Sequence, residues 1–265
     1  MTLKRNLRFI RMLIQMKLAR MMAFRFSFFG AFFADGTLFV TQVLVFSVIY
    51  GQVDSINGWT RGQMLIFVGT FSMLNGINMV VYFFGLIGIP YKIREGALDL
   101  YITKPGNTLL RLTFEEMNFG SAPLLLLSGA IIAWGVSIER IIVTPSLIIA
   151  YSGLVLLMNL LYYDMELILR TIPFFVISAT AIERLEGDML MLNFQAPGII
   201  FKGFFKVLFY YIMPYGIMAT VPTELLSGAY TVPGLIWAVA ASIIFTAFAL
   251  WFWKHGLKHY KSASS

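Results

Sequence analysis

Long apolar runs constrain the fold of this 265-residue chain more than any other feature. A helix needs about 20 apolar residues to cross the hydrocarbon core of a bilayer. Runs of this kind predict six spans, over residues 26–50, 63–89, 119–136, 145–182, 204–215 and 232–253. The fourth run is interrupted by charged residues and the fifth is short. The chain is therefore expected to be an all-α membrane protein with a single transmembrane domain over residues 26–253.

The composition supports this prediction and excludes several other classes of protein. Hydrophobic residues make up 59% of the chain and charged residues only 12%, whereas a soluble domain carries about 25% charged residues. The chain has no Cys, so it offers neither a disulfide framework nor a thiolate metal site. It also lacks the G-x-x-x-x-G-K-[ST] run that cradles phosphates, as well as H-E-x-x-H and G-x-S-x-G motifs. We therefore expect no catalytic residues, no metal site and no cofactor bound to this chain itself.

The uneven distribution of basic residues predicts the orientation. Seventeen Lys and Arg residues flank one side of the predicted spans, whereas only Arg61 and Arg140 lie in the alternate loops. Because cytoplasmic loops carry an excess of Lys and Arg, both termini are expected in the cytoplasm, residues 254–265 as a basic tail. Lys202 and Lys206 belong to the majority side in this scheme. The net charge of +7 then reflects an anionic membrane surface and requires no nucleic-acid partner.

Residues 1–25 predict an amphipathic helix that lies on the membrane. Its polar and apolar positions form two neighbouring stripes, Lys4, Arg8, Arg11 and Gln15 on one and Leu3, Leu7, Ile10 and Ile14 on the other. Such a helix buries its apolar face at the headgroup boundary. It serves either as a lipid-bound anchor or as an elbow that also contacts a cytoplasmic partner.

Residues 89–105, between the second and third predicted spans, have an unusual make-up for a connecting loop. Charged and apolar positions alternate along them: Lys92, Arg94, Glu95, Asp99 and Lys104 among Ile93, Leu98, Leu100 and Ile102. A loop that only joined two membrane helices could be shorter and less varied. The pattern favours a surface that another protein binds, and the alternative is an interfacial helix that stays on lipid.

A few polar residues lie inside the predicted spans, namely Asp35, Asn75, Asn78, Asp164, Glu166 and Arg170. A lone carboxylate at that depth costs about 2.5–3.5 kcal/mol on insertion scales, so it should face protein or water. Glu166 and Arg170 are four residues apart, which permits an ion pair within one helix. Two interpretations stay open. Asp35, Asn75, Asn78, Asp164 and Glu166 line a path for cationic or amphiphilic cargo, or they pair between helices and hold the bundle together.

Residues 212–228 predict a re-entrant hairpin near the outer surface. Pro214 and Pro222 interrupt an apolar stretch in which Glu224 is the one charged residue. Prolines at membrane depth free backbone groups, which must then be buried in protein or line water.

Two other classes of protein fit the sequence less well. An ion-gradient-driven secondary transporter would show internal repeats with matching broken helices, and no convincing repeat relates the two halves. A membrane-embedded lipid-processing enzyme would need a cluster of acidic or His residues at one interface. The candidate cluster is Glu183, Glu186 and Asp188, with Arg184 in its middle, and this pattern is more typical of a solvated loop.

Three motifs carry a resemblance to a known family. The first is R-x-G-x-L-D-L-x-L-x-K-P, present as Arg94, Gly96, Leu98, Asp99, Leu100, Lys104 and Pro105 with Ile102 at the third Leu position. The second is the proline-containing stretch Ile212-Met-Pro214 followed by Val221-Pro222, and the third, a weaker one, is Phe194-Gln-Ala-Pro197. The chain resembles permease subunits of ABC-2 type exporters, in the six-span branch related to viologen and drug efflux systems.

The resemblance implies a type V exporter fold without its own ATPase. Two permease subunits, alike or different, would pair in the bacterial inner membrane and bind two copies of an ABC ATP-binding subunit that holds ATP and Mg. Residues 89–105 would contain the coupling helix, and residues 212–228 would close the outer gate. The coupling residues would be those of the first motif together with Glu95, with Leu98 and Leu100 as the apolar anchor on the ATPase.

Overall fold

A computed structural model describes residues 11–12, 15, 25–104, 106–176, 184, 187–192 and 196–260. The amphipathic helix predicted over residues 1–25 therefore lies almost wholly outside the described residues, as do the Asp35 side chain and Pro105. The described part is helical, and its one β-type pairing is an isolated bridge between Ile56 and Trp59. The all-α class predicted from the apolar runs agrees with this architecture.

The helices are numbered along the described residues. They are α1 (Arg25–Ile49), α2 (Arg61–Val81), α3 (Phe83–Ile87), α4 (Ile89–Arg94), α5 (Asp99–Ile102), α6 (Thr108–Glu115), α7 (Ala122–Glu139), α8 (Pro145–Thr171), α9 (Gly203–Val207, continued as a π-helix over Leu208–Ile212), α10 (Tyr215–Met218), α11 (Thr220–Ser227) and α12 (Val232–His259). Short 3₁₀ turns extend α7 at its start and α8 at its end, over Phe119–Ser121 and Ile172–Phe174.

Four helical stretches are long and apolar enough to cross a membrane. They are Arg61–Val81, Phe119–Glu139, Pro145–Phe174 and Val232–His259, and they coincide with four of the six predicted runs. A fifth is obtained if Gly203–Ile212 and Tyr215–Ser227, which are bent by 76° at their junction, count as one broken span. Helix α1 has 25 residues, and within the part whose side chains the structure describes its apolar stretch is Gly36–Ile49. The protein is thus a multi-pass membrane protein, and the count of six spans stays a prediction.

Small residues bring α2 and α7 into close contact. They recur at seven-residue intervals on both partners: Gly62, Gly69 and Gly76 on one side, and Ser121, Ser128 and Gly135 on the other. A Cβ added at Gly69 would lie 2.6 Å from Ile132 Cγ1, and one at Gly135 would lie 2.7 Å from the Gly62 carbonyl oxygen. Ser128 Oγ also donates to Ser72 Oγ at 2.8 Å. Since lipid tails give no hydrophobic drive between helices, this close approach holds the pair together.

Helix α8 lies between α2 and α12 and bonds to both. Asn159 Nδ2 donates to the Leu74 carbonyl of α2 at 3.1 Å, and Tyr82 donates its hydroxyl to the Asn159 carbonyl at 3.2 Å. On its other side, α8 accepts hydrogen bonds from α12, including one from Thr246 Oγ1 to Asp164 Oδ2 at 2.5 Å. The polar residues of α8 therefore serve as contacts between helices.

Residues 198–212 lie at the end of the bundle where α1 ends and α2 begins. Asn57 Nδ2, in the loop between these helices, donates to the Ile199 carbonyl at 2.6 Å. Trp237 Nε1, near the start of α12, donates to the Tyr210 carbonyl at 2.8 Å. The chain has therefore reached this end by Ile199, before the predicted fifth span over residues 204–215 begins.

The predicted fifth span over residues 204–215 overlaps the first limb of the bent pair. The α9 segment has ten residues, or about 15 Å at 1.5 Å per residue, half of the hydrocarbon thickness. Phe174 lies at the opposite end of the bundle, against Trp253 and Tyr260. Lys206 consequently lies at the end of the loop over residues 51–60, not on the majority side of the basic residues.

Candidate functional site

The backbone of residues 89–104 forms two short helices joined by a tight turn. Helix α4 has Pro90 in its first turn, where a missing N–H costs nothing. Gly96 adopts a φ of +69°, a conformation that suits glycine, and ends the turn that follows α4. The Leu98 N–H then donates to the Lys92 carbonyl at 3.0 Å. Gly96 is thus needed for the turn that orients α5.

Leu98 attaches this segment to the rest of the bundle. Its side chain is 0% exposed and packs in a cluster that includes Leu112 of α6, Leu167 of α8 and Trp253 of α12. Leu98 was predicted to lie on the surface that binds a partner. In the structure Leu98, which immediately precedes α5, faces the bundle, whereas Leu100 faces away from it.

Glu115 of α6 fixes the segment by polar contacts. The Tyr101 hydroxyl lies 2.7 Å and 2.6 Å from its two carboxylate oxygens, and Lys92 Nζ lies 3.8 Å from Oε2. Lys92 Nζ also lies 5.4 Å from the centre of the Tyr101 ring. Burial, followed by the bond to Glu115, raises the pKa of Tyr101, so its phenol stays a donor at neutral pH. Neither Tyr101 nor Glu115 was among the predicted site residues, because nothing in the sequence links positions 14 residues apart.

Asp99 connects the segment to the end of α12. Burial raises the pKa of Tyr260, and the neighbouring Asp99 raises it further. Tyr260 itself packs edge-on against Phe174 at 6.0 Å between ring centres. Asp99, predicted to contact a partner, thus also lies near Tyr260, the residue that follows α12.

The opposite face of the segment is exposed and mixes apolar with charged side chains. Its large apolar members are Tyr91, Leu100 and Ile102, exposed by 61%, 62% and 44%. Its charged members are Arg94, Glu95 and Lys104. Arg94, Glu95, Leu100, Ile102 and Lys104 were predicted for this surface, and Tyr91 adds to it. An exposed apolar group ringed by charge has the make-up of a protein-binding surface.

Two of the three carboxylates predicted for a translocation path, Asp164 and Glu166, are bonded within the bundle. Asp164 accepts from Thr246, as described above, and Glu166 Oε2 lies 3.3 Å from Arg170 Nη2 in an ion pair. The side chains of Glu166 and Arg170 are only 1% and 6% exposed. For Asp164 this geometry favours the second interpretation, pairing between helices, whereas the Glu166–Arg170 pair lies within α8 itself.

Asn75 and Asn78 line a cavity of about 320 Å³. The other walls come from α1, α2, α8 and residues 187–191, with Phe83 just beyond α2: Leu38, Phe39, Phe71, Met79, Phe83, Tyr162, Gly187, Leu190 and Met191. Asn78 is 1% exposed, and neither its Nδ2 nor its Oδ1 has a hydrogen-bond partner among the described residues. The structure thus brings together the two asparagines and leaves them apart from Asp164 and Glu166.

The predicted hairpin residues lie around the bend after α9. Pro214 occupies the junction between the two limbs, and Pro222 is buried within α11. Glu224 lines a second cavity, of about 360 Å³, with Lys206 and Tyr210. Lys206 Nζ lies 5.7 Å from the centre of the Tyr210 ring. The 76° bend between the two limbs fits a broken span as well as a re-entrant loop, so the hairpin over residues 212–228 stays a prediction.

Comparison with known proteins identifies the family. A family model described as an ABC-2 family transporter protein matches residues 37–264, which include helices α2 to α12 and the whole segment over residues 89–104. Comparisons with curated proteins and with solved structures give no match. Permeases of this family are membrane transport subunits that associate with an ABC ATP-binding subunit and are generally not catalytic themselves. The chain therefore belongs to the ABC-2 family of transporter proteins, as a permease component of an ABC transporter.

Proposed function

We propose that this permease belongs to an ATP-driven exporter and that residues 89–104 dock on its ATP-binding subunit. The observation that carries the proposal is the two-sided segment, exposed at Tyr91, Leu100 and Ile102 and anchored behind by Leu98. The exposed apolar side chains would enter a groove of the ATPase, and Arg94 and Glu95 would make polar contacts around it. ATP and Mg would be held by the partner and not by this chain.

Contacts behind the segment give a route for mechanical coupling. Leu98 belongs to one cluster with Leu167 of α8 and Trp253 of α12, and Asp99 adjoins Tyr260 at the end of α12. Packed cores shift as units because they do not deform continuously. A displacement of α4 and α5 by the ATPase would therefore move α8 and α12 together, and with them the seam between two permease subunits.

The distribution of basic residues supports a cytoplasmic position for this segment. With Lys202 and Lys206 counted on the opposite side, fifteen Lys and Arg residues lie on the side of this segment and four on the other. The excess of basic residues therefore stays on the same side. The α9–α11 limbs would then form a re-entrant hairpin at the outer surface, where they would act as the outer gate. Both termini would lie in the cytoplasm of a bacterial cell.

Export through a dimer of permeases accounts for the exposed apolar faces. Ile149 of α8 and Ile243 of α12 are 73% and 65% exposed, as expected of residues that face lipid or a second permease. The second permease is either another copy of this chain or a related one. Cargo would be amphiphilic or lipid-like and would leave from the cytoplasm or the inner leaflet. An ion-gradient-driven transporter would instead keep its transport when the ATP-binding subunit is absent.

Co-purification from native membranes tests the docking surface. We expect Leu100→Asp combined with Arg94→Glu to abolish recovery of the ATP-binding subunit with the permease, because both the apolar and the polar contacts would be lost. Val53→Asp is the matched control, since Val53 is 43% exposed in the loop at the opposite end. Full recovery of the ATPase with the double variant, at unchanged permease stability, would refute the docking assignment.

A further inference from the structure

We infer that the cavity around Asn78 binds a neutral amphiphile, an apolar body that carries an amide, hydroxyl or ester group. Transport of that compound rests on the proposed function, whereas binding can be tested separately. The walls are predominantly apolar and aromatic, with Phe39, Phe71 and Phe83 among them and Met79 and Met191 filling between. Pockets of a few hundred Å³ with few polar groups are typical small-molecule sites.

Asn78 supplies the polar recognition. Its amide offers two donor hydrogens and one acceptor, and both heavy atoms lack partners among the described residues. The nearby Asn159 is different, since its Nδ2 bonds to the Leu74 carbonyl at 3.1 Å. Buried amides are normally hydrogen-bonded, so one left unpaired in a cavity wall indicates a missing partner. A ligand with one acceptor and one donor would satisfy both atoms, whereas an acceptor alone would satisfy only Nδ2.

The charges around the cavity favour a neutral ligand over a cation. No residue that lines the described cavity is charged, and the carboxylates of Asp164 and Glu166 bond to Thr246 and Arg170. A cation that entered would lose its hydration without a described counter-charge. This differs from the cationic cargo that the sequence suggested. Asp35 precedes Phe39 by one helical turn of α1, so the experiment below tests its carboxylate directly.

Two exposed side chains mark the entrance. Leu38 is 56% exposed and Met191 is 50% exposed, and both belong to the cavity wall. The cavity therefore opens sideways, toward lipid or a second permease. An amphiphile dissolved in the bilayer would reach Asn78 without crossing water.

Photolabelling of the full chain in phosphatidylcholine nanodiscs tests this site. The probes are benzophenone-4-carboxamide, its cationic analogue 4-(trimethylammoniomethyl)benzophenone and its anionic analogue benzophenone-4-carboxylate. The excited ketone inserts into C–H bonds and reacts readily with methionine, so peptide mass spectrometry should find the neutral probe on Met79 and Met191. We expect Asn78→Leu to lower this labelling about fivefold, the size of one lost hydrogen bond.

Three controls separate recognition from structure. Asn78→Gln should restore labelling. Gln52→Leu, which removes an exposed amide at the far end, should leave labelling unchanged, and Asn78→Leu should not lower the unfolding temperature.

Competition by a monoacylglycerol would indicate a lipid source for the ligand, and competition by benzamide a water-soluble source; both support the neutral class. Preferential labelling by the cationic probe, abolished in Asp35→Asn, would overturn it, as would Met labelling that is insensitive to Asn78→Leu. If the neutral probe does not label Met79 and Met191 while the ATP-binding subunit still co-purifies with the permease, this inference is refuted and the proposed function is not.

Discussion

Residues 89–104 and the polar stretch of α8 both mix charged with apolar residues, but the charged side chains are buried and paired in α8 and mostly exposed in residues 89–104. In α8, Asp164 and Glu166 find Thr246 and Arg170 inside the bundle. In the segment, Arg94 and Glu95 stay exposed beside Leu100, which is 62% exposed. The comparison teaches that charge in an apolar run is not by itself a sign of function. The informative feature is polar and apolar surface that the fold leaves available.

The sharpest test of this contrast removes one member of the buried ion pair. We expect Arg170→Met to destabilise the protein by about 3–5 kcal/mol, because it leaves the Glu166 carboxylate buried without its cation. Thermal unfolding in detergent measures the loss. The double change Glu166→Gln with Arg170→Met removes both charges and should recover much of it. Equal unfolding temperatures for the single variant and the native chain would show that the pair does not hold α8.

The two leucines of α5 separate anchoring from docking. We expect Leu98→Ala to lower the free energy of unfolding by about 2–5 kcal/mol, as large-to-small changes in a packed core do. Leu100→Ala, at an exposed position, should change it by less than about 0.5 kcal/mol. Both variants are compared by thermal unfolding of the purified chain. A larger loss for Leu100→Ala would reverse the assignment of the two faces.

Breaking the hydrogen bond between α8 and α12 should lower the free energy of unfolding by an intermediate amount. Thr246→Val removes the donor to Asp164 with little change of volume, and we expect a loss of about 1–2 kcal/mol from the unpaired carboxylate. Thr246→Ser keeps the hydroxyl and serves as the matched control. The unfolding midpoints of the two variants should therefore differ; if they coincide, the hydroxyl bond contributes nothing and packing alone joins the helices.

The smallest expected effect concerns Tyr101. Tyr101→Phe should cost about 0.5–1.5 kcal/mol through the lost bond to Glu115. The pKa of Tyr101 is raised above its ordinary value of 10.0 in the folded chain, so the unfolded chain ionises first as the pH rises. The contribution of Tyr101 to stability is thus complete below pH 10 and falls above it. Unfolding temperatures measured from pH 8 to 11 should decline more steeply for the native chain than for Tyr101→Phe.

Local patterns in the sequence predicted much of the fold but little of the site's arrangement. Helix positions such as Arg61–Val81 and Val232–His259 follow from apolar length, which is a property of neighbouring residues. The inward position of Leu98 depends on Leu112, Leu167 and Trp253, which come from three other helices. A motif such as L-D-L shows that two leucines are present and cannot show which one faces the core.

The position of α9 illustrates the same limit. Its apolar residues are compatible with a span, and only the bonds from Asn57 to Ile199 and from Trp237 to Tyr210 place it at one end of the bundle. These bonds join residues 142 and 27 positions apart. Hydropathy measures transfer into lipid and carries no information about which end of the bundle a short helix occupies.

The sequence by itself determined that this chain is a helical membrane protein with a charged, apolar segment between its second and third runs. Its composition and the lengths of its apolar stretches suffice for that, because transfer from water to lipid depends on each stretch alone. The tertiary structure decided that Leu98 is the anchor and Leu100 the exposed contact, and that the carboxylates of α8 are paired. Among the described residues that line the cavity, it also left the buried amide of Asn78 as the only one without a hydrogen-bond partner. These outcomes depend on contacts between distant helices, which only the folded chain brings together.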